Sequence, residues 1–300
     1  MNPLTNIRTK LLAGLHLCAI FTFTNFASAS EHTFQQQTCD ESVEHCVETG
    51  EWNFSISVGL GLRSNPLFQS DNIPLVILPE FSYYGESFFI DNLDLGYTLF
   101  DTPKHNLNLI ATPSFDSVFF SRWDPGNLFV NITSISGDSL STPDQSEDNF
   151  TRINPDELSK RKFSYLAGIE YGQDFKHSQL QISLLSDITN THSGKEIRFA
   201  YAYYFSHSFS TTLGFTWKDK NLTDYYYGVD ADEIVDNRGA YQASASINPL
   251  VRFSYNSVPE NSENWRLSLE IQRLDSQITN SPILKDEYVV TFYLGKRFDF

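Results

Sequence analysis

Eight charged residues lie on the polar side of segments in which apolar and polar residues alternate with a period of two. They are Glu80, Asp94, Glu170, Arg198, Arg252, Arg266, Glu270 and Arg297. Because successive side chains of a strand point to opposite faces, these charges lie on a polar face that opposes an apolar one. Unpaired charges in a closed interior are costly. We therefore predict that they line a polar lumen, either as salt bridges that fill it or as a charged constriction that selects small solutes.

Groups that could support catalysis form no recognisable pattern. The predicted outer loops contain His192 and Asp224, but no spacing pairs a nucleophile with a base. We predict no enzymatic activity, no catalytic residue, no cofactor and no metal site. The tyrosine triplet at 225–227 is interpreted as part of an interfacial aromatic belt rather than as a platform for a ligand.

The C-terminal segment shows the alternation most clearly, with Lys296 as the only polar member of its apolar set. That set is Tyr288, Val290, Phe292, Leu294, Phe298 and Phe300. A strand with one apolar and one polar face lies between two different media. Alternating aromatics that end on a terminal Phe resemble the signal read by the assembly machinery of outer-membrane barrels. These six residues are the predicted assembly signal, and that machinery is a predicted partner.

The same alternation recurs from residue 52 onward. In residues 52–62, Phe54, Ile56 and Leu60 lie on the apolar side, and Ser55 and Ser57 lie on the other. A tilted transmembrane strand needs about 9–11 residues. Many strands with one face suited to lipid and the other to water predict a closed membrane barrel.

The number of strands is ambiguous in the sequence. Eleven segments can be marked, one of them 87–100, whereas a single-chain barrel has an even number. Pro74, Pro79 and Gly85 allow several divisions of residues 63–100. We predict an all-β fold, an antiparallel transmembrane β-barrel of ten or twelve strands over residues 52–300, with twelve favoured.

The connections differ in length on the two sides of the predicted barrel. Those at 101–106, 174–177, 206–207 and 258–263 are mostly short and are assigned to the periplasm, whereas the outer ones are mostly longer. The longest, 121–161, contains an acidic cluster of Asp144, Glu147 and Asp148. A loop of this length is either functional or mobile.

Composition agrees with this fold class. The mean hydropathy is −0.31 and the chain has 25 Phe and 15 Tyr. After residue 29, no segment approaches the about 18 apolar residues of a membrane helix. The net charge of −16 argues against a nucleic-acid partner. We expect contact with outer-membrane lipid and lipopolysaccharide in a Gram-negative cell.

The N-terminal region is predicted to be processed. Residues 1–29 have the basic start, apolar core and small-residue cleavage site of a secretory signal peptide. Residues 30–51 have no periodicity and are predicted to form a periplasmic lead-in. Cys39 and Cys46 remain after cleavage, and in an oxidising compartment a disulfide between them is favoured over a metal site that includes His45.

Several short stretches, in order and spacing, resemble the MipA/OmpV family of MltA-interacting outer-membrane proteins. They are Gly59-Leu60-Gly61, the loop 63–74, Phe88-Phe89-Ile90, Leu95-Gly96-Tyr97, Tyr226-Tyr227-Gly228-Val229, Ser281-Pro282-Ile283 and the ending 293–298. The resemblance implies an outer-membrane barrel that holds a murein hydrolase near a murein synthase. Other members are linked to osmotic response, adhesion and antibiotic uptake. Loop 121–161 is longer than expected of the family.

Three functional hypotheses follow. In the first, the barrel is a scaffold whose periplasmic turns and lead-in bind murein-remodelling enzymes. In the second, it is a narrow channel for small solutes, including antibiotics. In the third, it is an adhesin that acts through loop 121–161.

Overall fold

A computed structural model describes residues 49–121, 124–129, 152–234, 239–257 and 264–300. The predicted signal peptide, most of the predicted lead-in and the Cys39–Cys46 disulfide lie outside these residues. The same holds for Asp144, Glu147 and Asp148 of the longest loop. No helix in the described part of the chain is long and apolar enough to cross a membrane.

Twelve antiparallel strands form a closed barrel in which each strand pairs with its neighbours in sequence, and β1 pairs with β12. The strands are β1 (Trp52–Arg63), β2 (Ile73–Tyr84), β3 (Phe88–Asp91), β4 (Asp94–Asp101), β5 (His105–Pro113), β6 (Tyr165–Asp174), β7 (Ser178–Asp187), β8 (Lys195–Tyr204), β9 (Phe209–Lys218), β10 (Ser246–Asn256), β11 (Trp265–Arg273) and β12 (Tyr288–Asp299). The predicted fold class is confirmed, with twelve strands. The segment 87–100 is two strands joined by a tight turn at 92–93, which resolves the odd count.

The apolar face of the strands points outward. In β1, Phe54 and Leu60 are 51% and 75% exposed, whereas Ser55 and Ser57 between them are buried. This inverts the pattern of a water-soluble domain, and it suits a barrel whose outer surface meets lipid.

The barrel closes where β1 and β12 approach each other closely. Gly59 lies opposite Gly295, and a Cβ atom on Gly59 would lie 2.2 Å from the carbonyl oxygen of Leu294. A larger residue at position 59 would push the two strands apart. Glycine is therefore needed at this seam.

The two ends of the barrel differ. One end has the short turns 85–87, 102–104, 175–177 and 205–208 and the connection 257–264, and it is the periplasmic end. The extracellular end has the longer connections, and the described parts of these connections contain three α-helices. These are α1 (Pro125–Leu128), α2 (Lys220–Tyr227) and α3 (Ser276–Thr279).

The hairpin of β3 and β4 is short and leaves part of β2 with a strand neighbour on one side only. Only residues 82–84 of β2 pair with β3, so among the described residues the stretch 73–81 pairs with β1 alone. Helix α1 lies against this stretch, and Phe129 packs edge-on against Phe81 with 5.5 Å between ring centroids. Pro74 and Pro79 lie here because proline, which has no N–H, is tolerated on strand edges.

Candidate functional site: the lumen and its extracellular lid

Several of the eight charged residues predicted to line the lumen contact strands that are not their neighbours. Arg266 on β11 pairs with Glu80 on β2, although β12 and β1 lie between those strands. Arg198 on β8 donates to Thr112 on β5, 3.2 Å away. Such contacts can form only across the interior.

The first group of charges lies toward the periplasmic end. Glu80 accepts hydrogen bonds from Arg266 and, at 3.2 Å, from the hydroxyl of Ser55. Arg297 Nη1 lies 3.3 Å from the other side of the same carboxylate, and its Nε donates to Asp299. This network links β1, β2, β11 and β12 through the lumen.

The second group is a buried pair between neighbouring strands. Arg252 Nε donates to Glu270 Oε2 at 2.6 Å, and the two residues are 4% and 1% exposed. At this depth each charge depends on the other, because the loss of one partner leaves a desolvated ion.

The third group, at the extracellular end, includes a residue that was not among the predicted lumen residues. Asp116 accepts hydrogen bonds from Lys218 Nζ at 2.5 and 2.6 Å and from the hydroxyl of Tyr227 at 2.7 Å. Asp116 follows β5 in a short 3-10 helix. It is an even number of residues from Asn108 and Thr112, and this period of two is the sequence signal for its inward position.

The fourth group surrounds a cavity of about 120 Å³, which we call the acidic cavity. Its lining includes Phe89, Asp91, Asp94, Glu170 and Arg198. Arg198 Nε donates to Glu196 at 2.5 Å, and Arg198 Nη2 donates to the carbonyl of Pro113 at 3.0 Å. Sequence analysis omitted Asp91 and Glu196, although Glu196 shares the parity of Arg198.

The extracellular mouth is covered by packed apolar side chains, which we call the lid. Its residues come from 115–121, 153–158, 219–229 and 274–284. Leu222, Tyr226, Ile278 and Ile283 are each 0% exposed. Asp219 and Asp275 cap α2 and α3, accepting from the backbone N–H of Leu222 and Gln277 respectively.

The interpretation of the tyrosine triplet as part of an aromatic belt is wrong for two of its members. Tyr226 and Tyr227 lie on the inner side of α2 and are 0% and 1% exposed. Their hydroxyls are hydrogen-bonded, to the carbonyl of Lys162 and to Asp116. The triplet was misassigned because aromatic content alone does not distinguish a membrane belt from a short helix packed over a lumen.

The fold brings a serine and a histidine into contact, although their spacing in the sequence did not predict it. Ser164 Oγ lies 3.1 Å from His192 Nε2, and Asp187 lies 3.8 Å from His192 Nδ1. The backbone N–H of Gly194 donates to Nδ1 at 2.9 Å, and burial lowers the pKa of His192. The neutral ring therefore carries its proton on Nε2 and donates to Ser164, whereas a general base must accept from its nucleophile there. Ser164 is also fully buried, so the geometry is that of a structural hydrogen bond.

The predicted assembly signal lies on the outer face of β12 and at the chain end. Tyr288, Phe292, Leu294 and Phe298 are 38–46% exposed, Val290 is partly exposed and Phe300 is 81% exposed. The backbone N–H of Phe300 donates to the carbonyl of Phe54 at 2.9 Å, which ties the terminus to β1.

A family model described as "MltA-interacting protein MipA" matches residues 58–300. The MltA-interacting protein of Escherichia coli (strain K12) is 23% identical over 265 residues, which cover 85% of this chain and 93% of that protein. The putative outer membrane protein YiaT of the same strain is 22% identical over 245 residues, covering 80% and 88%.

Among solved structures, the outer membrane protein OprD from Pseudomonas aeruginosa matches with a TM-score of 0.35 and 7% identity, over 85% of this chain and 66% of that one. The match to the family model spans nearly the whole barrel. The chain therefore belongs to the MipA family, and it is a β-barrel protein of the Gram-negative outer membrane.

Proposed function

We propose that this protein is a closed outer-membrane anchor whose periplasmic turns bind a murein-remodelling enzyme. The observation that carries the proposal is the occupancy of the lumen. Ion pairs lie inside the barrel at the periplasmic end, between β10 and β11 and at the extracellular end, and the lid covers the mouth. A barrel filled in this way suits attachment of a partner better than free passage of solutes.

The relatives indicate what kind of partner to test. The curated relative from Escherichia coli is named for its interaction with MltA. We extend that interaction to this chain, with a murein hydrolase as the direct partner and a murein synthase as a second component of the same assembly. The predicted N-terminal lead-in, residues 30–51, is proposed as a second region that binds the enzyme.

The periplasmic turns carry a group of basic and aromatic side chains suited to such contact. Lys104, Lys176 and His177 are exposed on two neighbouring turns, and His207 is exposed on the next. Phe175 and Phe205, on the same turns, are 49% and 68% exposed. The whole chain has a net charge of −16, but these basic and aromatic residues offer a docking surface for an acidic patch on a partner.

The test is a binding measurement between the refolded barrel and a soluble form of MltA. We expect the triple variant K104A/K176A/H177A to weaken binding by about tenfold, because charged side chains at the edge of an interface steer association and fix the orientation of the partners. The matched control, K160A/K220A, removes basic residues from the extracellular end and should bind as the wild type does. No binding by a correctly folded wild-type barrel would overturn the proposal, as would equal weakening by the control.

The acidic cavity favours a second candidate function, a narrow channel for small solutes. A route through the lumen would pass Arg198, which lines both the acidic cavity and a smaller cavity of about 30 Å³ beneath the lid. This candidate predicts conductance whose ion selectivity changes in R252A or E270Q. Binding to MltA would be unaffected by those substitutions.

A further inference from the structure

We propose that a groove on the lipid-facing side of the barrel binds the phosphorylated lipid anchor of lipopolysaccharide. The groove, which we call the outer groove, has a volume of about 370 Å³ and lies at the extracellular ends of β6–β9. Its lining includes Ala167, Leu184, Ser186, Lys195, Ile197 and Trp217. The inference does not depend on the proposed function, since the outer groove and the periplasmic turns are at opposite ends of the barrel.

Small side chains on the outer face create the depression. Ala167 on β6 lies opposite Ser186 on β7, and Ser186 lies opposite Lys195 on β8. One outward-facing row closer to the periplasm, the larger side chains of Leu184 and Ile197 lie opposite each other. The volume is within the range of about 300–1,000 Å³ that is typical of ligand-binding pockets. The outer groove can therefore hold part of an acyl chain.

The position of Trp217 indicates where the outer groove meets the lipid headgroups. Trp217 is the last outward-facing residue of β9 and lies opposite Ile197. Tryptophan is enriched where the hydrocarbon region meets the headgroups. Lys195 is two residues beyond Ile197 on β8, which places its backbone about 7 Å closer to the extracellular side. Its ammonium group is therefore at the level of the headgroups.

The extracellular end of the outer groove carries two lysines. Lys195 and Lys220 are exposed, and the backbone N–H of Asp219 donates to the carbonyl of Lys195 at 3.0 Å, which places Lys220 next to that strand end. The carboxylates beside them bind backbone donors. Asp219 accepts from the N–H of Leu222 at 3.0 Å, and Asp187 accepts from two N–H groups at 2.8 Å each. In the described part of the chain neither lysine forms an ion pair, so both are available to an anionic ligand.

A phosphate group next to acyl chains matches both parts of this surface. Lipopolysaccharide occupies the extracellular leaflet of the outer membrane, and its lipid anchor carries phosphates beside its acyl chains. Lysine binds phosphate as a point charge, and a cation close to a membrane surface is attracted to anionic lipids. A zwitterionic phospholipid carries its own amine and gains less from two lysines. The charge of the outer groove therefore favours lipopolysaccharide over phosphatidylethanolamine.

The experiment is native mass spectrometry of the refolded mature protein in detergent, titrated with bisphosphorylated lipid A. We expect one lipid A molecule to bind with saturation, and K195A/K220A to weaken binding by about tenfold because both cations are lost. A167F, which fills the floor of the outer groove with a residue suited to lipid, should weaken binding by about fivefold. Phosphatidylethanolamine should bind at least about tenfold more weakly than lipid A.

The matched control is R273A. Arg273 is also an exposed cation at the extracellular end of a strand, opposite Tyr288 on β12, but it does not line the outer groove. R273A should bind lipid A as the wild type does. Heat-modifiable migration on gels establishes that each variant is folded, and A167F keeps the proposal testable if the lysine variant does not fold.

Absence of saturable lipid A binding by the folded wild type would overturn the proposal. The same conclusion follows if R273A weakens binding as much as K195A/K220A does, if the groove variants bind like the wild type, or if phosphatidylethanolamine binds as tightly as lipid A. A barrel that fails to bind MltA but binds lipid A in this manner would refute the proposed function alone.

Discussion

The two sides of the lumen differ in how their carboxylates are balanced. On the side formed by β1, β2 and β10–β12, which we call the compensated side, Glu80 and Glu270 each pair with arginine. On the side formed by β3–β7, the donors to Asp91 and Glu170 among the described residues are neutral, and Asp94 Oδ1 has no donor among them. Arg198 acts on Asp94 and Glu170 through its charge without donating a described hydrogen bond to either. Both sides are enclosed by the same type of sheet. The difference indicates that the first set of charges contributes more to the stability of the barrel than the second set does.

The largest effect is expected on the compensated side. R252A removes the cation from the buried Arg252–Glu270 pair, and we expect a loss of about 3–5 kcal/mol in the free energy of unfolding. Urea unfolding in lipid vesicles measures it. The double variant R252M/E270M, which removes both charges, should recover most of that loss, and a single variant that is as stable as the wild type would contradict this assignment.

A smaller loss is expected where the lumen meets the lid. K218A removes the cation that donates twice to Asp116, and we expect a cost of about 2–3 kcal/mol because Asp116 is buried. Y227F removes one neutral donor to the same carboxylate and should cost about 1 kcal/mol. The same unfolding assay measures both. Equal costs for the two variants would show that the charge of Lys218 has no special role.

An ion pair in the extracellular loops provides a test outside the membrane. Arg161 Nη1 lies 2.8 Å from Glu233 Oε1. Burial raises the pKa of Glu233, but hydrogen bonds from Arg161 and from the backbone N–H of Asp230 outweigh this effect and lower the pKa to about 2. Because the pKa of Glu233 in the folded protein is below its ordinary value of 4.5, the pair gives its full stabilisation of the loops at pH values above 4.5. The stabilisation is lost as the pH falls toward 2. Cleavage near residues 228–233 by pepsin should increase between pH 4 and pH 2.

The E233Q variant is the control for this measurement, since it cannot titrate at that position. Its cleavage rate relative to a reference site in the same chain should be the same at both pH values. A wild-type protein that shows no more pH dependence than E233Q would contradict the role of the pair.

The smallest expected effect sharpens the contrast between the two sides. E170Q keeps the shape of the side chain and removes a carboxylate whose described hydrogen-bond donor is neutral, so we expect stability within about 0.5 kcal/mol of the wild type. E270Q makes the same chemical change on the compensated side and should cost about 2 kcal/mol or more. Equal losses in the two variants would remove the distinction between the two sides.

Sequence alone gave the alternation, the direction of the apolar face and the difference between the two ends. A period of two is a local property, so Ser55 and Ser57 were assigned to the polar face without any knowledge of their neighbours. The length of the β3–β4 hairpin was harder to predict, because Asp91-Asn92 and the prolines of β2 permit several divisions of this part of the chain into strands. Register with β2 and β5 decides it, and register depends on contacts distant in sequence.

The partners of the lumen charges could not be predicted from the sequence. The period-two pattern places Arg266 and Glu80 on the inner face of the barrel. Their contact depends on the curvature of the closed barrel and joins residues 186 positions apart. The same reason applies to Tyr227 and Asp116, whose contact requires α2 to fold back over the mouth. Side-chain direction is encoded locally, whereas pairing across a lumen is a property of the closed sheet.

If ion pairs and the lid close this barrel, single-channel recording of the refolded mature protein in a planar bilayer should detect no openings. The membrane should be silent when heat-modifiable, correctly folded barrel is present. Discrete openings whose ion selectivity changes in R252A would contradict it. In that case the lumen would be a conducting route, and the charges along it would serve selectivity.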